Sequence, residues 1–266
     1  MPTPSAFSVE GKVAVVTGGG VGIGKSIALE FARAGADVVI CSRKMENLEP
    51  VAADIKRLGR RGFALAIDVR QEEQVKDLVA RTVADLGRLD VMINNAGASF
   101  RSRFEDISVN GWNAVVGINL NGVYLGCKWA GRHMLEQGSG VIINVSSIAG
   151  VYGSSMMSHY GAAKAAVINL TRALGTAWGR RGVRVNCIAP GPVETEGYLE
   201  VLHRTNPNAE QVYKGIASRV ALGRWGRVEE IAYPCLFLAS DASAFMTGTT
   251  IIVDGGPSPR ETDETA

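Results

Sequence analysis

The sequence predicts an α/β fold: a single Rossmann-type, doubly wound parallel sheet of about seven strands with helices on both faces. Three observations carry that reading. Short apolar runs alternate with segments of helical periodicity along nearly the whole chain. The runs are too uniformly apolar to have a solvated face, which is the pattern of parallel strands covered on both sides. A glycine cluster also stands between the first run and the first helix, where such folds place a ligand.

Residues 12–17 form the first strand and 23–34 the first helix. Strand 36–41, helix 45–58, strand 62–67, helix 72–86 and strand 89–94 follow. One long helix over 109–135 leads to strand 141–145, a helix over 158–178 leads to strand 183–188, and the last strand is 250–253. Helical crossovers make the strands parallel. Residues 191–222 interrupt this rhythm just past the carboxyl end of a strand, the edge where open α/β sheets hold ligands. They read as a substrate lid, with Tyr198, Leu199, Val201 and Leu202 offering an apolar face; the alternative is a surface helical pair. Residues 1–256 are thus one domain, and 257–266 a flexible polar tail.

Composition excludes several classes. With 266 residues and a net charge of +2, the basic residues are scattered among acidic ones, so nucleic acid is not an expected partner. The basic stretch around Lys56 to Arg61 reads as solvated surface. Cys41, Cys127, Cys187 and Cys235 have no metal-ligand or Cys-x-x-Cys spacing, so free thiols are expected and a metal site is not. No segment approaches the roughly 20 apolar residues of a membrane helix, and the start lacks a signal pattern. The expected location is the cytoplasm, with no membrane partner.

The glycine cluster runs Thr17-Gly-Gly-Gly-Val-Gly-Ile-Gly24. At a strand-to-helix turn, Gly18, Gly22, Ile23 and Gly24 can present backbone N–H groups to a pyrophosphate. Gly19 to Ser26 also satisfies G-x-x-x-x-G-K-[ST], and 63–68 is an apolar run ending in Asp, so a nucleoside triphosphate site competes. That reading leaves the later Ser, Tyr and Lys residues without a task, so a dinucleotide is preferred. The second strand ends in Ser42-Arg43-Lys44 with no carboxylate to hold a ribose diol. Arg43, with Ser42 beside it, is suited to a 2′-phosphate. NADP(H) is therefore the preferred cofactor, with NAD(H) the alternative. Asp68, beside Val69 at the end of the third strand, can accept from the adenine amino group.

Ser147 follows the fifth strand, and Tyr160 and Lys164, four residues apart on the next helix, share one face. A nearby ammonium favours the tyrosinate and lowers its pKa. Tyr160 then exchanges a proton with a substrate oxygen while a hydride moves between cofactor and carbon, and Ser147 orients that oxygen. His159, next to Tyr160, is expected on a different helix face. Tyr152, Met156 and Met157 suggest an apolar pocket, and Arg101 and Arg103 read either as contacts for an acidic carrier or coenzyme A phosphate, or as solubilising loop residues.

These motifs together resemble the short-chain dehydrogenase/reductase family in its compact single-domain form, including members that reduce 3-oxoacyl thioesters. The resemblance covers residues 11–256 and rests on Thr17-Gly18-x-x-x-Gly22-x-Gly24, Asn94-Asn95-Ala96-Gly97, Asn119, Ser147, Tyr160-x-x-x-Lys164, Pro190-Gly191, Thr195 and Asp254-Gly-Gly256. It implies that Asn119 completes a proton relay with Lys164, that Asn95, Ala96 and Gly97 border the adenosine, and that Val193 and Thr195 anchor the nicotinamide carboxamide beyond Pro190 and Gly191. It implies a homotetramer built through the two long helices. It implies a carbonyl reductase or secondary alcohol dehydrogenase. NAD(H)-dependent oxidation of sugars or steroids, and a catalytically silent dinucleotide sensor or scaffold, are the alternatives. One departure stands out: where NADP-preferring relatives often have a basic residue in the glycine loop, this chain has Val21.

Overall fold

The computed structural model describes residues 5–256; the tail expected over 257–266 lies outside them. Seven parallel strands, β1 (Val13–Thr17), β2 (Asp37–Ser42), β3 (Ala64–Ala66), β4 (Val91–Asn94), β5 (Gly140–Val145), β6 (Val183–Pro190) and β7 (Thr250–Val253), form one sheet. Its order is β3-β2-β1-β4-β5-β6-β7. The chain steps outward from β1 to β3, then returns to place β4 on the other side of β1, with Val16 opposite Ile40 on one flank and Ile93 on the other. The loops leaving β1 and β4 therefore diverge to opposite faces and open a crevice at the carboxyl edge.

The helices are α1 (Gly22–Arg33), α2 (Met45–Arg57), α3 (Glu72–Leu86), α4 (Val109–Val116), α5 (Gly122–Gln137), α6 (Ala149–Tyr152), α7 (Ser158–Trp178), α8 (Glu196–Thr205), α9 (Ala209–Ala217) and α10 (Glu229–Ala239). Each main helix buries a stripe: α1 uses Ile27, Ala28, Phe31 and Ala32, and α3 uses Val75, Leu78, Val79 and Thr82. Two apolar layers result. One unites α1, α2 and α10 with Ala14, Val16, Ile40 and Ile143 of the sheet; the other packs α3, α5 and α7 against Val15, Val39, Met92 and Ile142.

Three differences from the sequence reading have physical causes. Helix α10 was not expected, because Ile231, Ala232, Cys235, Leu238 and Ala239 are buried and Pro234 interrupts it, leaving no clean polar face to give a period. The long helix over 109–135 is broken into α4 and α5 by a π turn, Gly117–Asn121. The basic stretch ending at Arg61 is more than solvated surface. Asp37, buried at the start of β2, accepts from the Arg61 backbone N–H at 2.8 Å and from Arg61 Nε at 2.8 Å, with Arg60 Nη2 at 3.2 Å. Burial pushes Asp37 up, but these donors outweigh it and hold the carboxyl below its ordinary range. The interruption at 191–222 contains the helices α8 and α9; Leu202 is buried, whereas Tyr198 and Val201 are exposed.

Candidate active site

The turn after β1 is built from glycine for steric reasons. Gly18 and Gly22 have φ of +67° and +53°, and a Cβ on Gly24 would lie 2.2 Å from the Gly18 carbonyl oxygen. No side chain caps the start of α1, so its first N–H groups face the turn. A cleft of about 680 Å³, partly open to solvent, runs from here across the strand ends, lined among others by Gly18, Ser42, Arg43, Asp68, Val69, Ala96 and Gly97. Ile23 and Gly24 form the first turn of α1 behind it. Lys25 forms an ion pair with Glu196 at 3.7 Å and Ser26 is buried, so neither plays the part a triphosphate site would give it.

At the far end of the cleft Arg43 is exposed, while the Ser42 hydroxyl turns to the Lys44 carbonyl at 3.2 Å. Asp68 is clamped by Arg70, whose Nε and Nη2 approach its oxygens to 2.9 and 2.5 Å. These bonds hold its carboxyl below the ordinary range, with a smaller pull from Arg43. Lys44, Asn47 and Ile118 also line the cleft; Asn47 had a sequence signal in its position four residues after Arg43, at the start of a helix.

The crevice is pinned across the switch point by Thr17. Its hydroxyl donates to the Ile93 carbonyl and accepts from the N–H groups of Asn95 (2.9 Å) and Ala96 (3.0 Å), while Asn95 Nδ2 donates to the Thr17 carbonyl at 2.9 Å. Asn94 Nδ2 donates to Asn144 Oδ1 at 2.9 Å, and Asn144 Nδ2 to Thr171 Oγ1 at 3.0 Å, a buried chain that ties β4 and β5 to α7.

The sequence-predicted cluster converges just beyond. Lys164 is 2% exposed; its Nζ donates to the Val145 carbonyl at 2.7 Å and lies 5.5 Å from the Tyr160 ring centre. Burial lowers its pKa to about 8. Ser147 sits between β5 and α6, its Oγ accepting from the Ala149 N–H at 3.1 Å. Tyr160 departs from the expectation of a lowered pKa: burial pushes it up, and the hydrogen bond to Ser147 opposes this only in part. The ammonium expected to lower it is instead held by the Val145 carbonyl.

Asn119 is fully buried in the π turn. A π turn leaves a carbonyl without its usual helical donor, and Asn119 Nδ2 fills that place by donating to Val115 at 2.9 Å, and also to Ala98 at 2.6 Å. Its Oδ1 has no partner among the described residues. Gly97 makes this possible: a Cβ there would lie 2.7 Å from that oxygen and 3.6 Å from Lys164 Nζ. His159 is buried apart from this cluster, its ring meeting Phe100 edge-on at 4.4 Å.

The opposite wall comes from β6. Gly191 follows Pro190 and donates to the Val253 carbonyl at 2.9 Å, packed so closely that a Cβ would come within 2.6 Å of Asp254. Val193 bridges to Gly226, and Thr195 caps α8 by accepting from the Tyr198 N–H at 3.2 Å. The Thr195 side chain returns over the glycine turn, 3.4 Å from where a Gly22 Cβ would stand.

A family model described as enoyl-(acyl carrier protein) reductase matches residues 19–258. The chain belongs to the short-chain dehydrogenase/reductase family. Within that family it is 37% identical to the 3-oxoacyl-[acyl-carrier-protein] reductase of Thermotoga maritima over 93% of this chain and 98% of the relative. It is 36% identical to the gluconate 5-dehydrogenase of Gluconobacter oxydans, covering 96% of this chain and 98% of that one. A solved short-chain dehydrogenase from Beutenbergia cavernae, assigned as an NAD(P)-dependent gluconate 5-dehydrogenase and holding NADP at low occupancy, superposes with a TM-score of 0.86 at 37% identity. That match covers 94% of this chain and 98% of the other. The chain is accordingly an oxidoreductase of alcohol and carbonyl groups, like other short-chain dehydrogenases. No described helix is long and apolar enough to cross a membrane.

The dinucleotide of the short-chain dehydrogenases fits the residues present. Gly18 and Gly97 line one cleft, and the space a Gly97 Cβ would fill borders both the unfilled Oδ1 of Asn119 and Lys164 Nζ.

Proposed function

We propose that this chain is an NADP(H)-dependent carbonyl reductase and secondary alcohol dehydrogenase in which Tyr160 is the acid/base group. The observation that carries the reading is the buried Lys164 ammonium, fixed on the Val145 carbonyl and 5.5 Å from the Tyr160 ring. NADP(H), when bound, supplies or takes up the hydride. During reduction the Tyr160 hydroxyl gives its proton to the substrate oxygen, and the Ser147 hydroxyl donates a hydrogen bond to the same oxygen. Lys164 would hold the nicotinamide ribose with the donors that the Val145 carbonyl leaves free. Asn119, whose Oδ1 has no partner among the described residues, would hold a water against Lys164, and that water returns the proton to Tyr160 by way of Lys164. Gly18, Gly22, Ile23 and Gly24 receive the pyrophosphate; Asp68, Val69, Asn95, Ala96 and Gly97 border the adenosine; Pro190, Gly191, Val193 and Thr195 hold the carboxamide end.

Preference for the phosphorylated cofactor is supported by Arg43, which lies on the cleft without a carboxylate partner among the described ion pairs. We assign 3-oxoacyl thioesters as the substrate class, supported by the Thermotoga maritima relative and by Arg101 and Arg103, both exposed. Their loop is tied to the approach to α7 by the Ser102 N–H donating to the Met156 carbonyl at 2.9 Å. A homotetramer built through α4–α5 and α7 completes the proposal. Four buried free thiols suit work in the cytoplasm.

The test is a comparison of initial rates with NADPH and NADH on 3-oxoacyl thioesters, sugars, steroids and simple ketones. NADPH should win, and Arg43→Ala should weaken NADPH by about 10-fold or more, as expected for a lost charge-assisted contact, while leaving NADH unaffected. Equal rates with both cofactors would refute the preference. Turnover of sugars or steroids but no thioester would refute the substrate class.

A further inference from the structure

Between the lid and the body stands one large side chain that the reaction scheme does not use. Trp225 is 5% exposed, and its ring packs against two tyrosines: Tyr213 of α9, nearly parallel at 5.2 Å, and Tyr198 of α8, tilted at 5.1 Å. Its Nε1–H donates to the Tyr213 carbonyl at 3.0 Å. Both lid helices are therefore clasped by one ring.

The backbone carrying that ring is itself fastened to the body. Gly226 donates to the Pro192 carbonyl and accepts from the Glu194 N–H, at 2.9 and 2.8 Å. On the other side Arg224 forms a two-pronged pair with Glu230 of α10, at 2.8 and 2.6 Å, and the Arg227 N–H donates to the same carboxylate. Tyr213 closes the circuit by donating its hydroxyl to Glu194 at 3.1 Å. Glu194 immediately precedes Thr195, and Tyr198 is the residue whose N–H Thr195 caps.

We propose that Trp225 is a positioning residue for the dinucleotide: by clasping Tyr198 and Tyr213 it sets the first turn of α8, and so holds Thr195 over the glycine turn at the nicotinamide end. This rests on the reading of the chain as a dinucleotide-dependent oxidoreductase. It predicts that the clasp acts on one half of the cofactor only. The adenosine half rests on the ends of β2 and β3, where Ser42, Arg43 and Asp68 line the cleft and the hydrogen bonds of Ser42 and Asp68 run to Lys44 and Arg70 rather than to the Trp225 clasp.

The experiment measures binding of NADPH and of 2′,5′-ADP, which lacks the nicotinamide, to the wild-type chain, Trp225→Leu and Trp225→Phe, with KM and kcat for NADPH alongside. Loss of two aromatic contacts should raise the NADPH dissociation constant and KM about 10-fold in Trp225→Leu. Affinity for 2′,5′-ADP should stay unchanged, and Trp225→Phe, which keeps a stacking ring, should recover most of the loss. The proposal is overturned if NADPH affinity is unaltered, if both ligands weaken together, or if phenylalanine restores nothing. Failure of the cofactor preference looks different: the wild-type chain would bind 5′-AMP and NADH better than 2′,5′-ADP and NADPH, and the same comparison would then be made with the unphosphorylated pair.

Discussion

The adenosine side of the crevice and the lid side are held by different kinds of force. Around β1, β2 and the turn after β1, backbone meets backbone at distances that exclude even a methyl group, and Thr17 alone satisfies two N–H groups and a carbonyl. The lid over 196–217 is held by side chains: Trp225 against two tyrosines, a threonine cap and charged pairs near the surface. Its glycines Gly197 and Gly215 have open space around them. The first region has no freedom to lose, whereas the second can be loosened by changing one ring. Segments that open draw their contacts from the weaker end of the range, which is what the reading of 191–222 as a lid requires.

Substitutions can break or sharpen this contrast. The largest effect belongs to neither region but to the cluster between them: Tyr160→Phe should lower kcat by about 10²- to 10⁴-fold, the range for a positioned acid/base group, with the melting temperature little changed. Survival of activity on a good ketone would sink the mechanism. Next comes the adenosine side. Gly24→Ala pushes a methyl into the Gly18 carbonyl and should cost about 1–3 kcal/mol of stability as overpacking, with NADPH binding weakened alongside in a titration calorimeter.

The third measurement is a pH profile. Lys164, lowered by burial to about 8, is charged below that pH and neutral above it. In the reduction direction the charged form is the useful one. The value of kcat/KM for NADPH, which reports the free enzyme, should therefore be level below about pH 8 and fall above it. A profile flat through roughly pH 9 would mean that the ammonium is not required. The smallest effect belongs to the lid: Gly215→Ala, a glycine in the last turn of α9 with no neighbour within 4 Å of a new Cβ, should stabilise by about 0.4–1 kcal/mol. The same chemical change thus carries opposite signs on the two sides of one crevice, which thermal melts of the two variants would check.

What could be read in the sequence divides along the same line. All seven strands were legible as apolar runs to within a few residues, the five central ones because they are buried along nearly their whole length and the edge strands β3 and β7 by composition alone, and α3, α7 and β7 matched at both ends. The glycine turn and the pair Tyr160 and Lys164 were legible because their chemistry needs fixed spacing along one element. What was not legible depends on partners that nothing in the local pattern announces. Arg70 clamping Asp68, Arg60 and Arg61 reaching back to Asp37, and Trp225 lying against residues 198 and 213 are all products of packing. The upward shift of Tyr160 was missed for a related reason: the spacing reveals the ammonium, but only the packed structure reveals the desolvation that outweighs it.

The π turn at 117–121 also resets a phase. Successive residues of an α-helix are rotated by about 100°, so one surplus residue twists everything after it by about that angle relative to an uninterrupted rod. Val115 and Val123, buried on either side of the turn, therefore answer to different frames. The first half of the rod packs on α7, and the second on α3, β4 and β5, where Met134 and Ala130 are buried. A single-residue insertion or deletion within this helix would misalign one of the two partners whichever way the chain resolved it.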